Sequence, residues 1–364
     1  MELIYPHKIS KEIILENNTT IHFNNDIDIK MNNLIFGDNV QVLKKLIYDY
    51  NLKGKIDLIY IDPPFSTNTN FTIGDDRVST ISKSNTDIIA YSDKLKGFEF
   101  IEFIRERLIL LKELLSDKGS IYLHIDYKVG HYIKIIMDEV FGIDNFRNDI
   151  TRIKCNPKNF NRKAYGNIKD LILFYSKSKN NIWNDIKEPY TNEEKERLFK
   201  KVDIFGRRYT TIPLHAPGET KNGNTSKEWK GLKPPKGRHW RSSPDELDEL
   251  ERLGLIEWSK TGNPRKIIYA DEKDGKKRQD IWEYKDTQYP IYPTEKNLTM
   301  LEMIILNSSN KNSIVLDCFC GSGTTLEAAS NMNRQWIGID NSEQALKVIE
   351  KRLINKNIKY NKIS

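Results

Sequence analysis

The sequence predicts an α/β protein: a mostly parallel, doubly wound sheet interrupted by an inserted region of different composition. Three observations carry this. Apolar runs of strand length alternate with segments whose apolar residues recur every three or four positions, the pattern of strands joined by crossover helices. Two of those runs end in an acid followed by chain-breaking residues, at once in Asp62-Pro63-Pro64-Phe65 and within four residues in Asp317-Cys318-Phe319-Cys320-Gly321-Ser322-Gly323. Between them, over residues 180–290, prolines, glycines, basic residues and tryptophans cluster and the alternation lapses.

Residues 1–33, rich in asparagine, give no firm element. Residues 33–38 read as a short buried strand ending in Gly37-Asp38, and Val42, Leu43, Leu46 and Ile47 mark the helix after it. Asp38 suits both a ligand crevice at the strand's carboxyl end and a cap on that helix. Residues 56–61 form a buried strand that two prolines stop, because neither can donate to a sheet ladder. Residues 66–97, rich in Ser, Thr, Asn and Asp, read as a long loop hanging from that strand end, and such loops are usually functional. Phe98, Ile101, Ile104, Leu108, Leu111 and Leu115 mark an amphipathic helix ended by Lys118-Gly119. A strand over 120–125, a helix carrying Val129, Tyr132, Ile133, Ile136 and Val140, and a strand over 171–175 follow. An apolar helix over 298–306, a strand over 313–317, a helix over 324–332 and a strand over 335–339 that runs into Asp340 complete the pattern. The chain divides accordingly into 1–179 with the Asp-Pro-Pro-Phe stretch, an insert over 180–290, and 291–364 with the glycine turn.

The insert carries Lys230-Gly231-Leu232-Lys233-Pro234-Pro235-Lys236-Gly237-Arg238-His239-Trp240-Arg241, with Trp229, Trp258 and Trp282 among its other tryptophans. Basic side chains interleaved with aromatics can contact phosphates and stack on bases. The tryptophans serve equally as the small core of an irregular lobe. Lys233, Lys236, Arg238 and Arg241 are the candidate phosphate contacts. The acidic helix over 244–253 reads as a solvated face turned away from phosphates.

Lysine plus arginine number 58 against 51 aspartates and glutamates, an excess of 7 with a pI near 8.9, which permits a polyanionic partner without requiring one. Cys155, Cys318 and Cys320 cannot build a disulfide framework, and Cys-x-Cys without His or Cys partners is a poor zinc site, so these are packing residues and no metal is expected. No apolar run approaches the roughly 18 residues of a membrane span, and the N-terminus lacks a signal layout. A soluble cytoplasmic protein with no membrane partner is expected.

Asp62 is held at a strand end, and the two prolines fix its backbone and the carbonyls that follow. A rigid anionic acceptor, stiffened carbonyls and the ring of Phe65 suit a planar group bearing an exocyclic amino group, such as a nucleobase; alone, the same residues merely end a strand. The Gly321-Ser322-Gly323 turn opens a helix, and Asp340 ends the next strand about 20 residues on, the layout of an adenosine site whose acid accepts from ribose hydroxyls. Gly321-Ser322-Gly323-Thr324-Thr325 lacks the lysine of a P-loop, and Leu326 stands where a dinucleotide fingerprint wants its third glycine. What remains is a nucleoside ligand without phosphates. Asp317 beside the turn suits a cationic ammonium group, which S-adenosylmethionine carries.

Together the two stretches resemble the DNA amino-methyltransferases. Asp62-Pro63-Pro64-Phe65 is similar to their catalytic motif and Asp317 to Thr324 to their S-adenosylmethionine motif. The order of catalytic motif, target-recognition insert, then Pro293-Thr294-Glu295-Lys296 and the cofactor motif resembles the β group, a circular permutation of the Rossmann-like methyltransferase fold. Phe65 stands where that family most often has tyrosine, and Cys318 where proline is usual. The chain is shorter than typical type III modification subunits, which favours a stand-alone or type II-like enzyme.

The resemblance implies N6 methylation of adenine in double-stranded DNA, restriction-modification biology and base flipping. Cytosine N4 is the alternative target, and a non-catalytic DNA-binding specificity subunit the alternative class. It implies a catalytic role for Asp62, Pro63, Pro64 and Phe65. Asp317, Phe319, Gly321, Gly323 and Thr324 fall to the methionine end and turn, Asp340 to the ribose, and Asp38 to the adenine end. Thr294 and Lys296 line the same crevice. Its candidate partners are DNA, a cognate restriction endonuclease and a second copy of the chain.

Overall fold

The computed structural model describes residues 2–63, 70–74, 77–79, 88–92, 97–157, 161, 163–288, 290, 292 and 295–364; over 70–74, 77–79 and 88–92 it describes the backbone course alone. The chain forms two compact units, Met1–Asp185 with Gln279–Ser364, and Ile186–Arg278. Among the described residues no helix is long and apolar enough to cross a membrane.

The large unit is built on a nine-stranded sheet in the order Ile281–Glu283, Phe146–Ile153, Lys169–Ser176, Leu115–Ile125, Ile56–Ile61, Ile314–Asp317, Gln335–Asp340, Asn33–Phe36, Asn361–Ile363. Lys169–Ser176 runs against both its neighbours, and every other adjacent pair is parallel. Side chains alternate across a strand, so each buried strand feeds two cores. Ile59 and Ile61 pack with Leu43 and Leu46 of the Asn39–Tyr48 helix, Phe100 and Ile104 of Phe98–Leu114, and Ile133 and Ile136 of Gly130–Phe141. Leu58 and Tyr60 face the other way, towards Met300 and Ile304 of Leu298–Ser308, Leu326 of Thr324–Asn331 and Ile349 of Glu343–Asn355. This is the doubly wound arrangement. Asp57 clasps the central strand to both flanks, accepting from the Ser116 hydroxyl at 2.8 Å and the Ser313 hydroxyl at 2.7 Å.

Several elements differ from the sequence expectation. The Phe98–Leu114 helix stops before Lys118-Gly119, and Leu115 already pairs with Ile56. Gly119 serves close packing instead of ending the helix: a Cβ there would lie 2.9 Å from the Ile56 carbonyl oxygen. Within the expected loop at 66–97, Asn70–Gly74, Arg77–Ser79 and Ile88–Ser92 form a small antiparallel sheet. Phe146–Ile153 is a further strand that the sequence pattern does not mark, because its burial is patchy and its apolar alternation weak. Residues 279–290 belong with the large unit, where Ile281–Glu283 pairs with Thr151–Ile153 and Trp282 packs in the core with Ile150.

The small unit holds a four-stranded antiparallel sheet, Ile256–Trp258, Pro264–Tyr269, Arg208–Pro213 and Lys201–Val202, and a two-stranded ribbon of His215–Pro217 and Arg238–Trp240. Its core is Leu214, Trp229, Trp240 and Leu247. The indole N–H of Trp240 donates to the Lys227 carbonyl at 2.9 Å, and that of Trp229 donates to Asp248 at 2.8 Å. The acidic helix Pro244–Arg252 is therefore more than a solvated face: Leu247 anchors it, and Asp248 orients a core tryptophan.

Candidate functional site

Four neighbouring parallel strands end on one edge of the sheet, and each delivers an acid there. Asp62 follows Ile56–Ile61, Asp317 and Asp340 close Ile314–Asp317 and Gln335–Asp340, and Gly37-Asp38 follows Asn33–Phe36. In register, Leu316 pairs with Ile59, Asp317 with Gly338 and Phe36 with Asp340. Carboxyl ends of parallel strands are where open α/β sheets bind ligands.

Asp62 is largely buried, and its two carboxylate oxygens differ. Oδ2 is ion-paired with the Lys296 ammonium; the two side chains are 15 % and 9 % exposed. Oδ1 is buried and has no hydrogen-bond partner among the described residues. Pro63, next in the chain, is buried too.

The glycine turn is shaped by positive φ angles of 48° at Gly321 and 75° at Gly323, which side-chain-bearing residues adopt at a cost. At Gly323 a Cβ would also lie 3.1 Å from Ile349. The Gly321 N–H donates to Asp340 Oδ2 at 2.8 Å and the Ser342 N–H to Oδ1 at 2.9 Å. The Phe319 N–H donates to Asp317 Oδ1 at 3.0 Å, and the Thr325 hydroxyl bonds to the same carboxyl group. Burial still dominates at Asp317, pushing it up from 3.8 to about 7, with the charges of Asp62 and Asp340 adding to the rise. Burial raises Asp340 as well. Thr324 is buried, its hydroxyl shared with Ser322 at 2.8 Å and with Arg352 at 3.2 Å. Cys318 and Cys320 are buried at the strand end, and burial pushes both thiols up.

Asp38 caps the Asn39–Tyr48 helix by accepting from the Gln41 N–H at 3.1 Å, and about half of its side chain remains exposed beside Arg107. Arg107 donates to Asn39 at 2.7 Å and lies over the Phe103 ring, which in turn meets Phe319 with centroids 6.0 Å apart. Asn39 donates to the Cys318 carbonyl at 3.0 Å, tying the first strand's turn to the cofactor motif.

A buried polar row lies behind Asp62 and was not foreseen. Tyr60 meets His124 Nδ1 at 2.9 Å, and His124 Nε2 meets Asp170 Oδ2 at 3.3 Å. A carboxylate can only accept, so Nε2 carries the proton and Nδ1 accepts from the Tyr60 hydroxyl. Burial keeps His124 neutral by lowering it, whereas Asp170, despite its burial, is held well below the usual carboxylate range by His124 and by Lys154 at 2.6 Å. Strand alternation placed Tyr60 and His124 on side chains of one face, but their contact depends on strand order, which sequence does not carry.

Pro64, Phe65 and Thr294 lie outside the described residues. The remaining crevice residues, Asp38, Asp62, Pro63, Lys296, Asp317, Phe319, Gly321, Gly323, Thr324 and Asp340, belong to the large unit, with Lys296 on Asp62. In the small unit Lys233, Lys236, Arg238 and Arg241 are all exposed. Arg238 lies 3.2 Å from His215, and Arg241 donates to the Pro213 carbonyl at 3.1 Å. Among the described residues no cluster of three or more His, Cys, Asp or Glu side chains is placed to hold a metal.

Residues 56–351 match the family model described as DNA methylase. The chain belongs to that family. This DNA methylase is 40 % identical over 366 residues to the type II methyltransferase M.EcaI of Enterobacter cloacae, covering 96 % of this chain and 77 % of that protein. It is 26 % identical to the StyLTI Mod subunit, part of a type III restriction-modification enzyme of Salmonella typhimurium, over 84 % of this chain and 50 % of that one. The chain thus spans about three quarters of the first relative and half of the second. Among solved structures it is similar to the M1.HpyAVI-SAM complex, with 21 % identity, a TM-score of 0.45, and coverage of 88 % of this chain and 100 % of that one.

Proposed function

We propose that this DNA methylase methylates the N6 amino group of adenine in double-stranded DNA, using S-adenosylmethionine, as the modification enzyme of a restriction-modification system. One observation carries the chemistry: a buried carboxylate oxygen, Asp62 Oδ1, stands without a partner among the described residues at the sheet edge beside Asp317. A target amino group brings the hydrogen that oxygen lacks.

The cofactor residues fit an adenosyl ligand with a cationic tail. Asp340 is fixed by two backbone N–H groups and keeps lone pairs for ribose hydroxyls. Asp317 is a buried acid, and a cationic ligand placed beside it would stabilise its charged form. S-adenosylmethionine, when bound, would supply the methyl group: the nitrogen–carbon bond would form as the sulfur–carbon bond breaks, the sulfonium leaving as a neutral thioether and the methylated nitrogen losing one proton to solvent.

The amino group is buried in base pairing, so the target base leaves the duplex first, at a cost of a few kcal/mol recovered by stacking and hydrogen bonds. Asp62 Oδ1 and the Pro63 carbonyl accept the two amino hydrogens, drawing the nitrogen out of conjugation and aiming its lone pair. The Asp-Pro-Pro-Phe motif gives Phe65 the stacking role. This is catalysis by positioning and electrostatics. Aspartate at the head of the motif favours adenine, and the exposed Lys233, Lys236, Arg238 and Arg241 are the phosphate contacts of the sequence-reading unit.

The test is methyl transfer from labelled S-adenosylmethionine to unmethylated genomic DNA, with nucleoside digestion, for wild type and Asp62→Ala. N6-methyladenine from the wild type alone supports the proposal. N4-methylcytosine moves the target to cytosine, and an unlabelled product with cofactor bound refutes catalysis by this chain alone.

A further inference from the structure

We propose that Lys296 is a positioning residue for Asp62, its ammonium holding Oδ2 so that Oδ1 alone is presented to the target amino group. The inference rests on the methyl-transfer reading above and assigns a task within it. A carboxylate has two equivalent oxygens and a broad terminal torsion. A cation on one oxygen removes that freedom and makes the other a directed acceptor. The observed division, Oδ2 paired with Lys296 and Oδ1 buried and unpartnered among the described residues, is that arrangement.

Charge supplies a second reason. The groups acting on this sheet edge are Asp317 and Asp340 on the neighbouring strands, Tyr60 and His124 beneath, and Lys296. Asp317 already reaches about 7 through burial and the charges of Asp62 and Asp340. Of these groups Lys296 is the cation in contact with Asp62. Without it, Asp62 shares this edge with two other carboxyl groups and has no cation to fix which of its oxygens faces the target amino group.

The lysine is itself held. Its side chain is 9 % exposed, and the adjacent Glu295 is ion-paired with Arg352, which also donates to Thr324 at 3.2 Å and Glu327 at 2.9 Å. Residues 295–296 therefore strap the catalytic carboxylate to the helix that opens at the glycine turn.

The experiment compares full-length wild type, Lys296→Met and Lys296→Arg. Affinity for S-adenosylmethionine is measured by calorimetry, and single-turnover transfer to unmethylated genomic DNA is followed at pH 7. In the Met variant cofactor affinity stays within about threefold of wild type, while the rate at pH 7 falls by roughly a hundredfold, the scale of losing one preorganised electrostatic contact. Arg restores most of the rate. Lys296→Gln, read the same way, replaces Met if Met does not fold. A Met or Gln variant with the wild-type rate overturns the inference, as does an Arg variant as slow as Met, or cofactor affinity falling in step with the rate, which would make Lys296 a cofactor ligand. Wild type that labels no DNA refutes the methyl-transfer reading itself, a result separate from any of these.

Discussion

Asp317→Asn should stabilise the cofactor-free protein at alkaline pH while impairing its function. Asp317 is fully desolvated, and its proton affinity rises from an ordinary 3.8 to about 7. The folded-state value lies above the unfolded one, so between these limits the folded chain holds a proton that the unfolded chain has released. Wild-type stability therefore declines through this group as pH climbs from about 4 to 7, and the loss is complete above 7. At about 1.4 kcal/mol per pH unit, the charge costs about 4 kcal/mol at pH 8. Asparagine cannot ionise, and its amide oxygen still accepts the Phe319 N–H. Urea unfolding of both proteins at pH 5 and 8 is the assay. The variant is expected to be more stable by roughly 2–4 kcal/mol at pH 8, with the difference shrinking towards pH 5. His124 has the opposite sign, because burial lowers it and stability falls as pH drops below about 6.5, but it is common to both proteins and cancels in the difference. A pH-independent difference, or a variant less stable at pH 8, would refute the reasoning. S-adenosylmethionine binding should weaken in the same variant.

Gly323→Ala must place a left-handed φ on alanine, about 1–2 kcal/mol, and press a Cβ against Ile349; Gly321→Ala meets only the strain, its nearest neighbour being Tyr292 at 3.7 Å, so thermal denaturation should rank the first as the worse. Asp248→Ala leaves the Trp229 indole N–H without its acceptor, and the small unit should lose about 1 kcal/mol, measured by tryptophan fluorescence during denaturation. Lys236→Ala should weaken binding to all DNA sequences alike and reduce the salt slope by about 1, as read from anisotropy titrations at several salt concentrations; unchanged affinity and slope would remove Lys236 from the interface.

The acids at the strand ends were legible because every clue is local: an apolar run says strand, and the polar break at its end, two prolines after Asp62, a glycine turn four residues past Asp317 and Asn341-Ser342 after Asp340, says where it stops. Asp62, Asp317 and Asp340 therefore needed no structure to be singled out. Partnership between distant residues was not legible. Lys296 sits in a stretch that looks the same whether its ammonium meets a cofactor or Asp62. Asp340 was expected to face ribose, and the backbone N–H groups that fix both its oxygens come from turns whose geometry sequence does not state. The tryptophans illustrate a different limit: Trp229, Trp240 and Trp282 are buried and Trp258 is partly exposed, yet Trp282 belongs to the core of the other unit, since composition marks a region without marking where its last strand pairs.

Asp57 joins Ser313 across 256 residues, because the strands leading to Asp62 and Asp317 are neighbours in the sheet. Biosynthesis meets them far apart in time. At roughly 5–20 residues per second the first emerges well before its partner, and the central strand waits with one edge bare. No nascent chain shorter than about 340 residues carries both Asp317 and Asp340. The paired acids of the crevice thus come together only after Asp340 has been made, and a chain arrested before that point lacks them.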